Sequence, residues 1–350
     1  MVYPGIRPSL LQGRRGEVAA PESRGRSDVK AIVCHEFGPL ESLSWEEVAE
    51  PAPGEGEVLI RTEAAGVNYP DGLLVQGLYQ VKPERPFTPG MEVAGTVEAL
   101  GAGVTGIAVG DRVLAAVSTG GYAEKAICPA ARCMPLPEGM DAAEACALLV
   151  AFGTSHHALK QRAELKPGEW LLVFGAAGAT GIAAIQIGKV MGAQVIAVCS
   201  TDEKREIALA SGADHAIGYD ALKEDVKRLT GGHGADVVYD SVGGAAFDAA
   251  TRVMARGGRL LVIGFASGEI PKFPVNLALV KEFAVVGVFW GNWTRAEPEA
   301  YMANMQELLG WHAAGRVKPL IEGRYRLSEA SEVLTRVLGR GAVGKIALVP

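Results

Sequence analysis

The chain has 350 residues, 49% of them hydrophobic and 21% charged, with a formal net charge of −6. That balance gives no sign of a nucleic-acid surface, no apolar run approaches the ~18 residues that would cross a bilayer, and the length favours two domains over one. Five scattered cysteines, Cys34, Cys128, Cys133, Cys146 and Cys199, predict reduced thiols in a cytoplasmic protein rather than a disulfide framework.

Residues 1–28 hold Arg, Gly, Pro, Ser and Glu with little periodicity and are expected to form a disordered extension. They lack the apolar core of a secretory signal. Ordered chain is expected from Val29, and translation is expected to begin there, at a GUG codon. Residues 29 to about 135 read as a β-rich module: 29–33, 57–62 and 93–98 cluster or alternate apolar residues between Gly and Pro turns, and 106–113 turns into a further strand. One short helix is predicted near 70–76, and a longer one over 140–159 with Asp141 as its N-cap. His156 and His157 are adjacent, so they point in different directions on that helix; they read as a surface or interdomain pair rather than as metal ligands. Residues 167–290 then alternate strands (near 170–175, 194–199, 236–240, 259–264 and 284–289) with helices (near 179–191, 203–211, 221–229 and 246–255), the pattern of a doubly wound parallel sheet. Helices over 297–313 and 328–338 precede a last strand, 345–349, which has no partner among its sequence neighbours and is expected to return to the first module.

The stretch Val173-Phe174-Gly175-Ala176-Ala177-Gly178-Ala179-Thr180-Gly181 joins the first strand of the alternating region to its first helix. Ala176, Gly178 and Gly181 fill the three slots of a G-x-G-x-x-G pattern, with Ala in the first. In that role Gly178 lets the backbone approach a pyrophosphate, Gly181 lets helix and strand pack closely, and the N–H groups at the start of the helix, from Ala179 and Thr180 on, face the phosphates. The strand–turn–helix–strand context is what raises this loop above an ordinary tight turn. An NAD enzyme needs an acidic residue at the end of the second strand, to bind the ribose 2′-hydroxyl. Ser200 stands there, and Lys204 and Arg205 follow within a helical turn, able to neutralise a 2′-phosphate. NADPH is the cofactor expected. Asp202 and Glu203 argue the other way, or are first-turn acids behind a Thr201 N-cap.

Several spaced motifs sharpen this reading. Ala65-Gly66-Val67-Asn68-Tyr69-Pro70-Asp71, Pro89-Gly90-Met91-Glu92-Val93-Ala94-Gly95, Val109-Gly110-Asp111-Arg112-Val113, Ala176-Ala177-Gly178, Gly212-Ala213-Asp214 and Asp240-Ser241-Val242-Gly243-Gly244 occur in order. Together they resemble the zinc-independent quinone oxidoreductase branch of the medium-chain dehydrogenase/reductase superfamily, over residues 30–350. The resemblance implies a Rossmann-type doubly wound parallel sheet plus a GroES-like β-rich domain. The domains expected are the extension 1–28, a GroES-like catalytic domain 29–147 completed by 291–350, and a Rossmann NADPH-binding domain 148–290. Where the zinc branch carries a ligand Cys this chain has Asn68, and where it carries a ligand His this chain has Met91; Glu92 alone cannot hold the metal.

Without a metal to polarise a carbonyl, the acceptor should be one that takes hydride readily, such as a quinone. The alternative is a conjugated C=C bond of an alkenal, enone or enoyl thioester. A cofactor-binding protein with little catalysis is the third reading. The resemblance places Asn68 and Tyr79 in the active-site cleft. Asn68 would orient substrate or nicotinamide ribose, or else simply form a turn. Tyr79 would donate a hydrogen bond to the substrate oxygen, or else shape the pocket. Some relatives carry a further Tyr where this chain has Leu73. Carried over in the same way, Tyr219 would sit beside the adenosine phosphate, and Val262, Ile263, Gly264 and Phe265 would pass the nicotinamide. Val288, Phe289 and Trp290 would hold its carboxamide through main-chain groups, Thr154 would touch the ring, and Arg340 and Lys345 would close over the cofactor or lie in solvent. Trp290, Trp293 and Phe152 are candidate aromatic walls. In the resembled family the edge at 283–289 pairs with its counterpart in a second subunit, so the resemblance implies a homodimer; left unpaired, an apolar edge invites aggregation.

Overall fold

The computed structural model describes residues 28–350; residues 1–27 of the predicted N-terminal extension lie outside the described residues, and its last, Asp28, is the first residue of a strand. β1 (Asp28–Val33) and β2 (Ser44–Ala49) form a separate antiparallel ribbon. Next come β3 (Glu57–Gly66), α1 (Tyr69–Val75), β4 (Glu92–Leu100), β5 (Arg112–Ala116), β6 (Lys125–Pro129) and β7 (Cys133–Pro135). A long helical run follows. It comprises α2 (Ala142–Ala147), a π-helical turn Leu148–Phe152, α3 (Gly153–His157) and a second π-helical turn Ala158–Arg162. Asp141 caps its start by accepting from the N–H groups of Ala143 and Glu144, both at 3.0 Å.

The alternating region contains β8 (Trp170–Phe174), α4 (Ala179–Val190), β9 (Gln194–Val198), α5 (Asp202–Ala210), β10 (His215–Ile217), α6 (Leu222–Leu229), β11 (Ala235–Asp240), α7 (Ala245–Val253), β12 (Met254–Val262), α8 (Asn276–Lys281) and β13 (Ala284–Gly287). Its six strands are all parallel in the order β10-β9-β8-β11-β12-β13, the doubly wound Rossmann arrangement. Leu171 to Phe174 and Val195 to Val198 are buried on both faces, which is why these strands read as continuous apolar runs rather than alternating ones. The chain closes with α9 (Trp290–Ala296), α10 (Pro298–Ala313), β14 (Ile321–Arg326), α11 (Ala330–Leu338) and β15 (Lys345–Val349). β15 pairs with β14 and also antiparallel with β3, Ala347 opposite Gly66 and Leu348 opposite Ala65, so the last strand does return to the first module. The larger β-rich sheet runs β14-β15-β3-β4-β5-β7, with β6 also on β3.

The departures from expectation are local. β10, three residues long, carries too little pattern to be read and exists through its pairing with β9. α8 and α9 went unread because they are short and lie among turn residues and aromatics. β12 begins five residues early, at Met254, across Gly257 at φ +75°. The histidine pair is not on the surface: His156 and His157 are both buried. His157 stacks on Trp293 at 4.0 Å, and His156 meets the edge of Trp311 at 5.1 Å. Burial pulls the His156 pKa down to about 4, against the attraction of Glu307, so the ring is neutral at ordinary pH.

Candidate active site and cofactor cleft

Asn68 stands at the N-cap of α1, where Pro70 pre-sets the first turn. Its own backbone N–H donates to Asp71 Oδ2 at 2.8 Å, and Tyr122 donates its hydroxyl to the same oxygen at 2.7 Å. The Asn68 side chain is engaged on two sides: Nδ2 donates to Glu92 Oε1 at 2.9 Å, and Lys345 Nζ donates to Oδ1 at 2.7 Å. Lys345 and Glu92 also form an ion pair, 1% and 0% exposed. The other Glu92 oxygen accepts from the N–H of Val150 at 3.0 Å, in the first π-helical turn. Lys345, expected over the cofactor or in solvent, is thus interior.

Desolvation raises the Asp71 pKa to about 7, opposed by its bonds from Tyr122 and Asn68 and by the Lys345 charge, and assisted by Glu92. A folded-state value above the unfolded one stabilises the protein fully below the unfolded pKa and loses that contribution as pH rises towards 7. Between pH 4 and 7 the wild type is therefore expected to lose stability more steeply than Asp71→Asn, by about 1 kcal/mol per pH unit. Urea unfolding of both at a series of pH values reads this directly; parallel pH profiles would refute it.

Tyr79 follows α1 and packs, partly buried, against the core that holds Leu74, Phe87 and Tyr122. Burial raises its pKa, with a further rise from the Asp71 charge and a fall from Arg295 of α9, so its phenol stays protonated between these two groups. Leu73 lies on α1 as a partly buried residue, with no hydroxyl to offer.

At the other module, the glycine loop has the shape its sequence demands. Gly175 adopts φ +62°, and a Cβ on Gly181 would collide with the Gly175 carbonyl and lie 2.7 Å from Ala176 Cα. Gly178 is the N-cap of α4 in an extended conformation, with Ala179, Thr180 and Gly181 as the first helical residues. Their N–H groups precede any intrahelical acceptor and are the natural ligands of an anion. Ala176 is buried.

Around this loop lies a polar corner. Ser200 is exposed at the end of β9, and Thr201 caps α5 by accepting from the Lys204 N–H at 3.2 Å. Lys204 reaches across to the carbonyl of Arg340 at 2.9 Å. Asp202, one of the two acids that argued against a 2′-phosphate, is paired with Arg205 of its own helix, while Glu203 is exposed in the first turn of α5. The Tyr219 hydroxyl accepts from the Gly175 N–H at 3.4 Å, and its ring stacks on Phe174 at 5.9 Å. Arg340 itself has φ +60° and is exposed, its charge felt at Tyr219 and Tyr69. Four groups named from the sequence, Ser200, Lys204, Tyr219 and Arg340, thus surround one side of the loop. The segment after Arg340 docks on the loop itself, through the Gly344 N–H donating to the Ala177 carbonyl at 2.8 Å.

The remaining cleft residues are set by backbone bonds. Ile263 and Gly264 donate to the Asp240 carbonyl at 2.9 and 3.4 Å, while the Asp240 carboxylate accepts from Val242 and Gly243. Val288 donates to Val262 at 3.1 Å, joining the Val262–Phe265 turn to the chain leading into Phe289 and Trp290. Trp290 sits edge-on to Tyr301 and fills the space beside Gly153, and Phe289 is 51% exposed. Phe152 is core, 1% exposed, and Trp293 is held by His157, so neither is free to form a wall on its own. Thr154 is partly buried on α3; its neighbour Ser155 bonds the Thr180 carbonyl at 2.9 Å and the Tyr239 hydroxyl at 2.9 Å, tying the interdomain helix to α4 and β11. Ser155, Tyr239, Tyr122 and Asp71 were not singled out from the sequence. Asp71 lay within a quoted motif, but the other three gave no local signal.

The donor set here does not fit zinc. Among the described residues no group of three or more His, Cys, Asp or Glu side chains converges, and Glu92 is already committed to Lys345 and Asn68. All five cysteines are free thiols, buried in separate places or, for Cys128 and Cys133, beside each other in the β-rich sheet.

A β-rich module, a six-stranded Rossmann sheet and a strand that returns to the first module define a medium-chain dehydrogenase/reductase. The Alcohol dehydrogenase GroES-like domain family matches residues 54–138, and the family described as Zinc-binding dehydrogenase matches 179–307. Quinone oxidoreductase-like protein 2 of Bos taurus is 37% identical over 91% of this chain and 92% of its own. The Escherichia coli quinone oxidoreductase, solved in complex with NADPH, superimposes with a TM-score of 0.87 at 30% identity, covering 92% of this chain and all (100%) of that one. A mycobacterial protein solved with NADPH gives a TM-score of 0.87 at 34% identity over 92% of this chain and 100% of its own. The chain belongs to the zinc-independent quinone oxidoreductase branch of that superfamily, and it is an oxidoreductase.

Proposed function

We propose that this protein reduces quinones with NADPH and without a metal. The coarser statement, an NADPH-dependent oxidoreductase of the medium-chain type, is supported by the NADPH complexes of its structural neighbours. The observation that carries the cofactor choice is the corner of Ser200, Lys204, Tyr219 and Arg340 beside the glycine loop, which has cations and hydroxyls and in which Asp202 is paired with Arg205. In this reading Ala176 to Gly181 hold the pyrophosphate, and the corner holds the 2′-phosphate. Val262 to Phe265, Val288 to Trp290 and Thr154 line the nicotinamide. NADPH, when bound, supplies hydride from C4 of its nicotinamide. The protein's part is to hold the acceptor within about 3–3.5 Å of that carbon, to exclude water, and to offer hydrogen bonds from Asn68 and Tyr79 to the oxygen that gains charge.

The test is an NADPH-oxidation screen over quinones, enones and enoyl thioesters with NADH as control. Quinone turnover well above the rest supports the proposal. Preference for enones or thioesters moves the assignment to C=C reduction. Saturable NADPH binding with no turnover on any acceptor makes the protein a cofactor-binding protein. Tyr79→Phe is expected to lower kcat less than tenfold, since water can supply the proton once hydride has added; a thousandfold loss in steady-state kinetics would make Tyr79 the proton donor.

A homodimer is part of the same reading. β13 is an edge strand, Val285 on it is 38% exposed, and Val275, Leu279 and Val280 nearby are 76%, 80% and 75% exposed. Light scattering at twice 36.6 kDa is the expected result; a monomer would refute it. Among the described residues no helix is long and apolar enough to cross a membrane. A cytoplasmic location is proposed from the five free thiols.

A further inference from the structure

We infer that Glu92 and Lys345 are positioning residues, which lock the amide of Asn68 so that Nδ2 is the atom that offers the acceptor a hydrogen bond. The inference deepens the reading above and rests on it, because it takes Asn68 to face the substrate oxygen.

The orientation of an Asn amide follows from the chemistry of its partners. Lys345 is donor-only, so the atom 2.7 Å from it must be the Asn68 oxygen. Glu92 is acceptor-only when ionised, so the atom 2.9 Å from it must be the nitrogen. A flipped amide would place NH₂ against ammonium and oxygen against carboxylate, two repulsions in the protein interior. Because Lys345 and Glu92 also contact each other, the three side chains close a triangle in which neither partner can swing away. What remains of the amide, besides the second lone pair of an oxygen already turned to the Lys345 ammonium, is one N–H on Nδ2 without a partner among the described residues, on a residue that is 8% exposed.

The triangle is built into the fold from several sides. Asn68 is fixed by the α1 cap, Glu92 by β4, and Lys345 by β15. Gly66 provides the space: a Cβ there would collide with Glu92 Oε1 and lie 2.8 Å from Lys345 Cε. The second Glu92 oxygen takes the Val150 N–H of the π-helical turn, so the interdomain helix that carries Thr154 is registered against the same carboxylate. Replacing an ion pair this deep by a well-packed apolar pair is often neutral or stabilising, so a positioning role accounts for the pair better than stability does.

In chemical terms, hydride adds to the acceptor, an electron pair moves onto its oxygen, and that oxygen later takes a proton from water. A donor fixed beforehand at that oxygen lowers the barrier because it needs no reorganisation during the step.

The test compares Asn68→Ala, the pair-less variant Glu92→Gln/Lys345→Met, and the triple variant, by quinone reduction and by NADPH affinity from fluorescence quenching. The pair-less variant leaves no uncompensated charge. Expected are NADPH Kd values within about twofold of wild type and a fall in kcat of about 10- to 100-fold for each of the first two. The triple variant should be no worse than Asn68→Ala, since groups acting as one unit are non-additive. Multiplying losses, or a pair-less variant with wild-type kcat, would overturn the inference. Should the pair-less variant not fold, the wild type decides. In ¹⁵N-labelled protein with NADP⁺, which cannot donate hydride, the Asn68 side-chain NH₂ signal, assigned by its loss in Asn68→Ala, should move on adding a quinone. A signal that stays put while quinone binds saturably overturns the inference. If the wild type oxidises NADPH with no carbonyl acceptor, it is the functional reading that has failed.

Discussion

Ser200→Asp combined with Lys204→Ala is expected to lower kcat/KM for NADPH by about 100-fold or more, while NADH improves or holds. Two effects add. A carboxylate at the end of β9 repels a 2′-phosphate and accepts a ribose 2′-hydroxyl instead. Loss of the Lys204 ammonium removes one charge-assisted bond, worth about 1.5–3 kcal/mol. The corner is already arranged so that two of its other groups are committed elsewhere: Arg205 is held by Asp202, and Tyr219 is hydrogen-bonded to the loop. Arg340 remains, and it sets a floor under the loss. Steady-state kinetics with both cofactors at matched ionic strength check this, since screening weakens exposed charge effects. An unchanged preference for NADPH would show that the 2′-phosphate is read elsewhere.

The second large effect is on stability. Glu92→Ala is expected to cost about 3–5 kcal/mol, because it strands the Lys345 ammonium in the interior with only Asn68 for company. A chain of this size should then melt roughly 4–7 °C lower. Glu92→Gln/Lys345→Met should recover most of that loss, although it removes more interactions. Calorimetry of the two variants checks both statements. A single variant as stable as wild type would mean that water reaches Lys345. The comparison also separates the two roles of the pair, because the double variant is expected to be stable yet slow.

Much of the Rossmann half could be read from sequence because its signals are local. Apolar runs such as Leu171 to Phe174 mark strands buried on both faces, and the glycines mark a tight turn, with Gly175 at φ +62° and Gly181 where backbone atoms leave no room for a Cβ. The α5 start was legible for the same reason, Thr201 sitting three residues before the N–H it caps. The network around Asn68 was not. Its members Asp71, Glu92, Tyr122 and Lys345 lie on four elements, and nothing in the sequence near Lys345 distinguishes a buried lysine from a solvated one. Burial of a charge is a property of the tertiary environment, and so is the pairing that makes β10 a strand. The histidine pair shows the same limit: adjacency predicted divergent rings, but only α9 and α10 supply the tryptophans that bury them.

The contact between Asn68 and Lys345 spans 277 residues. On the ribosome, every strand of the Rossmann sheet, from Trp170 to Gly287, is synthesised before Lys345 exists. The nucleotide-binding half can therefore fold as a contiguous unit during synthesis, while β3 waits for β15 and Asn68 waits for the cation that orients it. The network around Asn68 is thus the last part of the protein to be assembled. A nascent chain stalled before β15 would hold the six-stranded Rossmann sheet but not the lysine that orients Asn68.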